Sequence, residues 1–225
     1  MNIRTAVRAM TAYAWEESSA SIARRFGLQE GDVIRFDMNT NPVILPAVAQ
    51  ALARLGKEPV NEYPAPDYGN VVAGIGRYLG VDENQVVLGA GGDEVIDVIA
   101  KAFLEKGDTS VISTPTYSMF KIASQSYGAK VVEVPRGPDF SVDVEALADA
   151  AKKSKLLWVC NPNSPTGNAE PISKIQALLE STSATVVVDE AYAEFGGQSA
   201  VPLVGRFENL LVVRTLSKAF GLAGA

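Results

Sequence analysis

Four short segments carry side chains that could do chemistry, and each follows an apolar run. Lys218 sits in Thr215-Leu-Ser217-Lys218-Ala-Phe-Gly-Leu-Ala-Gly, between hydroxyls and small or apolar residues, a setting that can turn a lysine into a nucleophilic amine. Asp189 ends the run Thr185-Val-Val-Val-Asp189, with Tyr192 three residues further on. A carboxylate there can pair with a cation, cap a helix or bind a metal. Gly89-Ala-Gly-Gly92-Asp93-Glu94 reads as a turn into a helix, whose N–H groups and positive dipole end suit a phosphate. Asn161-Pro-Asn163-Ser-Pro-Thr-Gly167 combines residues that favour tight turns. Alone, each segment also has a plain structural reading as a turn, a cap or solvated surface.

The chain has 225 residues and contains no histidine. Ser-His-Asp and Cys-His nucleophile systems, imidazole general bases and His-containing zinc sites are therefore excluded, and no metal is expected. The single cysteine, Cys160, cannot form an internal disulfide, so a reducing compartment is the default. Apolar residues make up 47% and charged residues 20%, the profile of an ordinary globular protein. A net charge of −6 argues against a nucleic-acid partner. No apolar window approaches the length of a membrane span, and Arg4 and Arg8 interrupt any signal-like stretch, so the expectation is a cytoplasmic protein without membrane contact.

The elements that must position these residues follow from periodicity. From about residue 81, short β-branched runs alternate with helical stretches, the pattern of βαβ units on a parallel sheet. Six strands are expected: Val86 to Leu88, Thr109 to Ser113, Lys130 to Val134, Leu156 to Cys160, Thr185 to Asp189 and Leu210 to Arg214. Helices are expected at Asp93 to Leu104, Tyr117 to Tyr127, Val144 to Lys152 and Ile172 to Leu179. Upstream, helical stretches run near Ser18 to Phe26, Pro46 to Leu55 and Tyr68 to Leu79. The fold class is thus α/β, a three-layer α/β/α domain with a mainly parallel sheet and an N-terminal helical arm. The expected division is an arm or part of a small domain at 1–40 and a cofactor-binding domain at 41–225. Open sheets of this type bind ligands beyond the C-terminal ends of their strands, where the four segments would converge.

In combination, NPNSPTG, VVDEAY and TLSKAFGLAG, in that order and each after a strand, resemble the pyridoxal-phosphate-dependent aminotransferases of fold type I, class I/II. The resemblance runs from Asp37-Met-Asn-Thr-Asn-Pro42 through Tyr63 to the end. It implies that Lys218 forms the Schiff base with the cofactor and then shuttles a proton, and that Asp189 pairs with the ring nitrogen. Asn163 and Tyr192 would bond the phenolic oxygen, and Tyr117 would stack on the ring. Gly92, Asp93, Thr215 and Ser217 would hold the phosphate, together with Tyr63 from the partner subunit of a homodimer. Within the family, the pattern is most similar to members acting in histidine biosynthesis. These pass the amino group of histidinol phosphate to 2-oxoglutarate, giving imidazole acetol phosphate and glutamate. Partners would thus be a small-molecule amino donor and a 2-oxo acid. Threonine-phosphate decarboxylation and aromatic or broad-range transamination share the motifs.

Two departures accompany the resemblance. The segment Asn39-Thr-Asn-Pro-Val-Ile44 differs from the family's acidic Asn-Glu-Asn-Pro-type pattern followed by Gly, which bears on substrate choice. Only seven residues follow Lys218, 225 − 218, so a phosphate-clamping Arg, a last strand and a C-terminal domain with the substrate-carboxylate Arg would lie beyond the chain. A fragment or truncated form of a longer enzyme is therefore expected, with weak cofactor retention and little transamination by itself. A non-catalytic regulator with an aminotransferase-like domain finds no basic recognition helix in the first 80 residues. A nicotinamide-dependent Rossmann enzyme would need glycine where Glu94 stands.

Overall fold

The computed structural model describes residues 2–10, 13, 15–43, 45–55 and 61–224. Ile44 and the terminal Ala225 lie outside the described residues. In the N-terminal part, α1 (Thr5–Ala9), α2 (Ser19–Phe26), α3 (Pro46–Leu55) and α4 (Gly69–Leu79) precede α5 (Gly91–Phe103). The regular alternation then begins: β1 (Thr109–Thr114), α6 (Met119–Ser126), β2 (Lys130–Pro135), α7 (Val144–Ala151), β3 (Leu156–Cys160), α8 (Ile172–Ser181), β4 (Thr185–Asp189) and β5 (Leu210–Val213). Local signals set several ends. Ser18 caps α2 by accepting from the Ser21 amide, and Gly27 ends it at φ 68°. The Asp143 carboxylate caps α7 by accepting from the Ala146 amide.

The sheet has five strands in the order β2-β1-β3-β4-β5, and every pairing is parallel. Val86 to Leu88, expected as a sixth strand, does not form one: among the described residues no ladder partner stands beside it, and Val87 is 78% exposed. A β-branched run becomes a strand only when a neighbour accepts its backbone hydrogen bonds. Further differences lie at element ends. α5 starts two residues early, at Gly91, where φ is +82°, so Gly92 and Asp93 fall in its first turn. α6 starts at Met119, which leaves Tyr117 in the loop before it.

Helices cover both faces of the sheet, which explains why β3 and β4 are almost wholly apolar. On one face Leu147 of α7 and Ile175, Leu178 and Leu179 of α8 pack on Val111, Leu157, Val159, Val186 and Val188. On the other, Ile96 and Ala100 of α5 and Phe120 and Ala123 of α6 pack on Ile112, Leu156, Trp158 and Val187. The Trp158 ring stacks on Phe120 with centroids 5.2 Å apart, and its N–H donates to Ser110 Oγ at 3.0 Å. The strand order reverses between β1 and β3, opening the crevice where such sheets receive ligands. Cys160 pairs with Asp189 and Asp189 with Val213, so the tips of β3, β4 and β5 end at one level. Among the described residues no helix is long and apolar enough to cross a membrane.

Candidate active site

Asp189 is the last residue of β4 and is 4% exposed. Its carboxylate accepts from the Ala191 amide at 2.9 Å. Burial pushes the Asp189 carboxyl up to about 6, and the negative charges of Asp93 and Glu190 act in the same direction, against the Ala191 amide and Lys218. A buried carboxyl held above its usual range is poised for a cationic partner.

Lys218 lies beyond β5 and is half-buried. Its Nζ donates to the Met38 carbonyl at 3.3 Å and stands 5.8 Å from the centroid of the Tyr192 ring. The Tyr192 hydroxyl accepts from Asn39 Nδ2 at 3.1 Å, and Asn41 Nδ2 donates to the Ala219 carbonyl at 2.9 Å. The segment around Asn39, where the sequence departs from the family pattern, thus clasps the lysine loop. Tyr117 donates to Asp93 Oδ1 at 2.8 Å, and burial together with that carboxylate raises its pKa, so it stays protonated. Tyr117, Tyr192 and Lys218 line one cleft of ≈ 330 Å³, with Tyr13 and Glu16 of the arm on its wall.

Asn163 is 2% exposed, with every polar atom of its amide engaged. Its Nδ2 donates to the Pro115 carbonyl at 3.0 Å and to Thr166 Oγ1 at 2.7 Å. Its Oδ1 accepts from Thr116 Oγ1 at 2.9 Å and from Arg136 at 3.0 Å. Thr215 Oγ1 donates to Ser217 Oγ at 2.9 Å and accepts from the Ser217 amide at 3.1 Å. At the start of α5, a Cβ on Gly92 would meet nothing within 4 Å, which leaves open space beside the first-turn amides. The Ala90 amide already donates to the Glu94 carboxylate. Tyr63, by contrast, is fully exposed and does not line the cleft. Cys160 offers no alternative nucleophile, since burial and Asp189 push its thiol up to about 12.

The residues present fit pyridoxal phosphate, the group implied by the resemblance. A buried carboxylate with raised proton affinity suits a ring nitrogen, an amine stands in the cleft, and open helix-start amides suit a phosphate. Arg136 and Thr116 are not among the residues expected from the sequence, and Asn39 is there only as the start of a segment that departs from the family pattern. Arg136 directly follows the tip of β2, a position of the same kind as the four segments, and that was the available signal.

The sequence model for aminotransferase class I and II matches residues 31–225. The chain belongs to that family. Curated relatives of this aminotransferase-family chain include histidinol-phosphate aminotransferases from Methanoculleus marisnigri, 37% identical over 99% of the chain, and Roseiflexus castenholzii, 38% identical over 99%. The matches cover 62% and 61% of those relatives, so the chain spans about three-fifths of their length. Among solved structures, histidinol-phosphate aminotransferase from Sinorhizobium meliloti in complex with pyridoxal-5'-phosphate superposes with a TM-score of 0.83 at 26% identity. That match covers 100% of this chain and 61% of the other. L-threonine-O-3-phosphate decarboxylase from Porphyromonas gingivalis gives a TM-score of 0.70 at 25% identity, covering 84% and 59%.

Proposed function

We propose that the chain forms the cofactor-binding part of a pyridoxal-phosphate-dependent aminotransferase whose amino donor is histidinol phosphate and whose acceptor is 2-oxoglutarate. The observation that carries this reading is the convergence of Lys218, Tyr192 and Tyr117 on one cleft, with the buried Asp189 near enough to Lys218 and Tyr117 to be coupled electrostatically to both. The relatives at 37–38% identity support the choice of donor. Residues 1–40 serve as an arm and 41–225 as the cofactor domain.

When bound, the cofactor supplies an aldehyde for the lysine and a ring that draws electrons from the substrate Cα. The first-turn amides of Gly92 and Asp93 and the hydroxyls of Thr215 and Ser217 bind the phosphate. Asp189 holds its negative charge opposite the ring nitrogen, and Tyr117 covers one ring face. Tyr192 and Asn163 donate to the phenolic oxygen. Lys218 would move a proton between the substrate Cα and the carbon of the cofactor's aldehyde group. The protein works in the cytoplasm as a homodimer, and Tyr63 reaches the phosphate of the neighbouring subunit. Exposure of Tyr63, Trp15, Ile34 and Phe36 supports that pairing.

The test adds pyridoxal phosphate to the chain, follows near-visible absorption, reduces with borohydride and maps the modified peptide. A single label on Lys218 is expected, and a label elsewhere, or none, overturns the reading. Adding histidinol phosphate, O-phosphothreonine or tyrosine before reduction then ranks the donors by how fast each changes the absorption.

A further inference from the structure

Arg136 lies under the site without reaching the cleft. Its side chain is 0% exposed, as is proper to a core residue, yet it carries a charge. One terminal nitrogen donates to the Phe140 carbonyl at 3.0 Å and faces Glu170 Oε1 at 3.5 Å. The other donates to Asn163 Oδ1 at 3.0 Å and to the Cys160 carbonyl at 3.4 Å. The Nε–H has no partner among the described residues. Glu170 is itself fixed from three sides, by the Val142 amide, by Lys174 and by a reciprocal pair of bonds between its backbone and the Asn161 amide. A buried guanidinium with one donor unsatisfied is a costly way to fill space, and apolar residues commonly replace such groups without loss of stability. A guanidinium differs from any apolar filler in being a neighbour that can only donate.

We propose that Arg136 is a positioning residue that fixes which end of the Asn163 amide serves the cofactor. An asparagine amide has two nearly isosteric ends, and a rotation by half a turn would aim an acceptor where a donor is needed. Here the two unambiguous neighbours settle the orientation: Arg136 can only donate, so Oδ1 faces it, and the Pro115 carbonyl can only accept, so Nδ2 faces that. The Thr116 hydroxyl fits either orientation and cannot hold it, while Thr166, whose proton goes to Asn168 Oδ1, is a second acceptor on the Nδ2 side; Arg136 is the donor that marks the Oδ1 side. The Nδ2 proton now given to Thr166 is the one a phenolic oxygen can claim, because Thr166 keeps its own bond to Asn168 when it gives that proton up. This inference rests on the pyridoxal-phosphate reading and adds to it a residue that never touches the cofactor.

The test compares the unaltered chain, Arg136→Met, Asn163→Ala and the double variant, each loaded with pyridoxal phosphate. The readouts are cofactor affinity and the pH midpoint at which the near-visible band of the lysine-bound cofactor changes. A phenolic oxygen that loses a donor holds the adjacent proton more tightly, so the midpoint moves up. Arg136→Met is expected to raise it by about half a pH unit or more and to weaken retention about threefold to tenfold. The double variant should shift no further than Asn163→Ala alone. A lowered melting temperature with an unmoved midpoint, or a double variant whose shift is the sum of the two, overturns the proposal and reduces Arg136 to a packing role. Arg136→Lys, which keeps one charged donor, covers the case in which the methionine variant does not fold: a smaller upward shift supports the proposal and none overturns it. Absence of any Lys218 label in the unaltered chain is a different result, since it removes the cofactor reading itself.

Discussion

Asp189 sets two demands against each other. Its carboxyl is held at about 6 against an ordinary 3.8, roughly two pH units and so up to about 3 kcal/mol. The folded pKa is the higher one, so the contribution to stability is complete below 3.8 and is lost as pH rises through about 6. Asp189→Asn should therefore stabilise the cofactor-free chain at pH 8, by several degrees in melting temperature, and make no difference at pH 4. The same substitution should weaken cofactor retention at both pH values, because a neutral amide cannot pair with a ring cation. Thermal unfolding with and without pyridoxal phosphate reads both effects. Asp189 was legible in the sequence because it ends an apolar run, and Lys218 because it sits among hydroxyls and small or apolar residues a few positions beyond one. Arg136 was not, because an arginine after an edge strand normally points to solvent, and only the fold turns this one inward.

The strands present those residues, and a buried ion pair ties two strand tips together. Glu190, just past β4, is fully buried and accepts from Ser199 and the Ala200 amide. Arg214, just past β5, donates to Glu190 Oε2 at 2.9 Å and also bonds Glu194. Glu190 follows Asp189 and Arg214 precedes Thr215 in the chain, so the pair couples the positions of the carboxylate and of the hydroxyls proposed to hold the phosphate. Arg214→Met should leave Glu190 charged, buried and short of a partner, and cost about 3 kcal/mol. Glu190→Gln, which keeps an acceptor for the Ala200 amide, should cost less, and urea midpoints measure both. Short β-branched runs between helical stretches located β1 to β5 within a residue or two, because buried parallel strands are continuous apolar runs. The same pattern failed at Val86 to Leu88, since pairing depends on what lies alongside and a run of three residues holds no record of that.

For the whole molecule, the proposed homodimer has a concentration dependence that can be read. If Tyr63 serves the neighbour's phosphate, cofactor retention should rise with chain concentration through the range in which light scattering reports the doubled mass. Tyr63→Phe should weaken retention several-fold above that range and have no effect below it. Equal sensitivity at all concentrations would place Tyr63 on its own chain's site. The cleft wall was the least legible part of the sequence, because Tyr13 and Glu16 share the cleft with Tyr192 and Lys218, and Asn39 and Met38 bond them, only across distant parts of the chain.

One of those contacts also bears on assembly. The Lys218 amine reaches the Met38 carbonyl across 180 residues of sequence, and Asn41 reaches Ala219 across 178. Closing so long a loop carries an entropy cost that shorter contacts avoid, and such contacts form late. The sheet can be complete while the lysine still lacks its surroundings. In a refolding experiment, reactivity of Lys218 toward pyridoxal phosphate should therefore lag behind recovery of strand and helix signals, so that the lysine acts as a clock for the moment the two ends of the sequence meet.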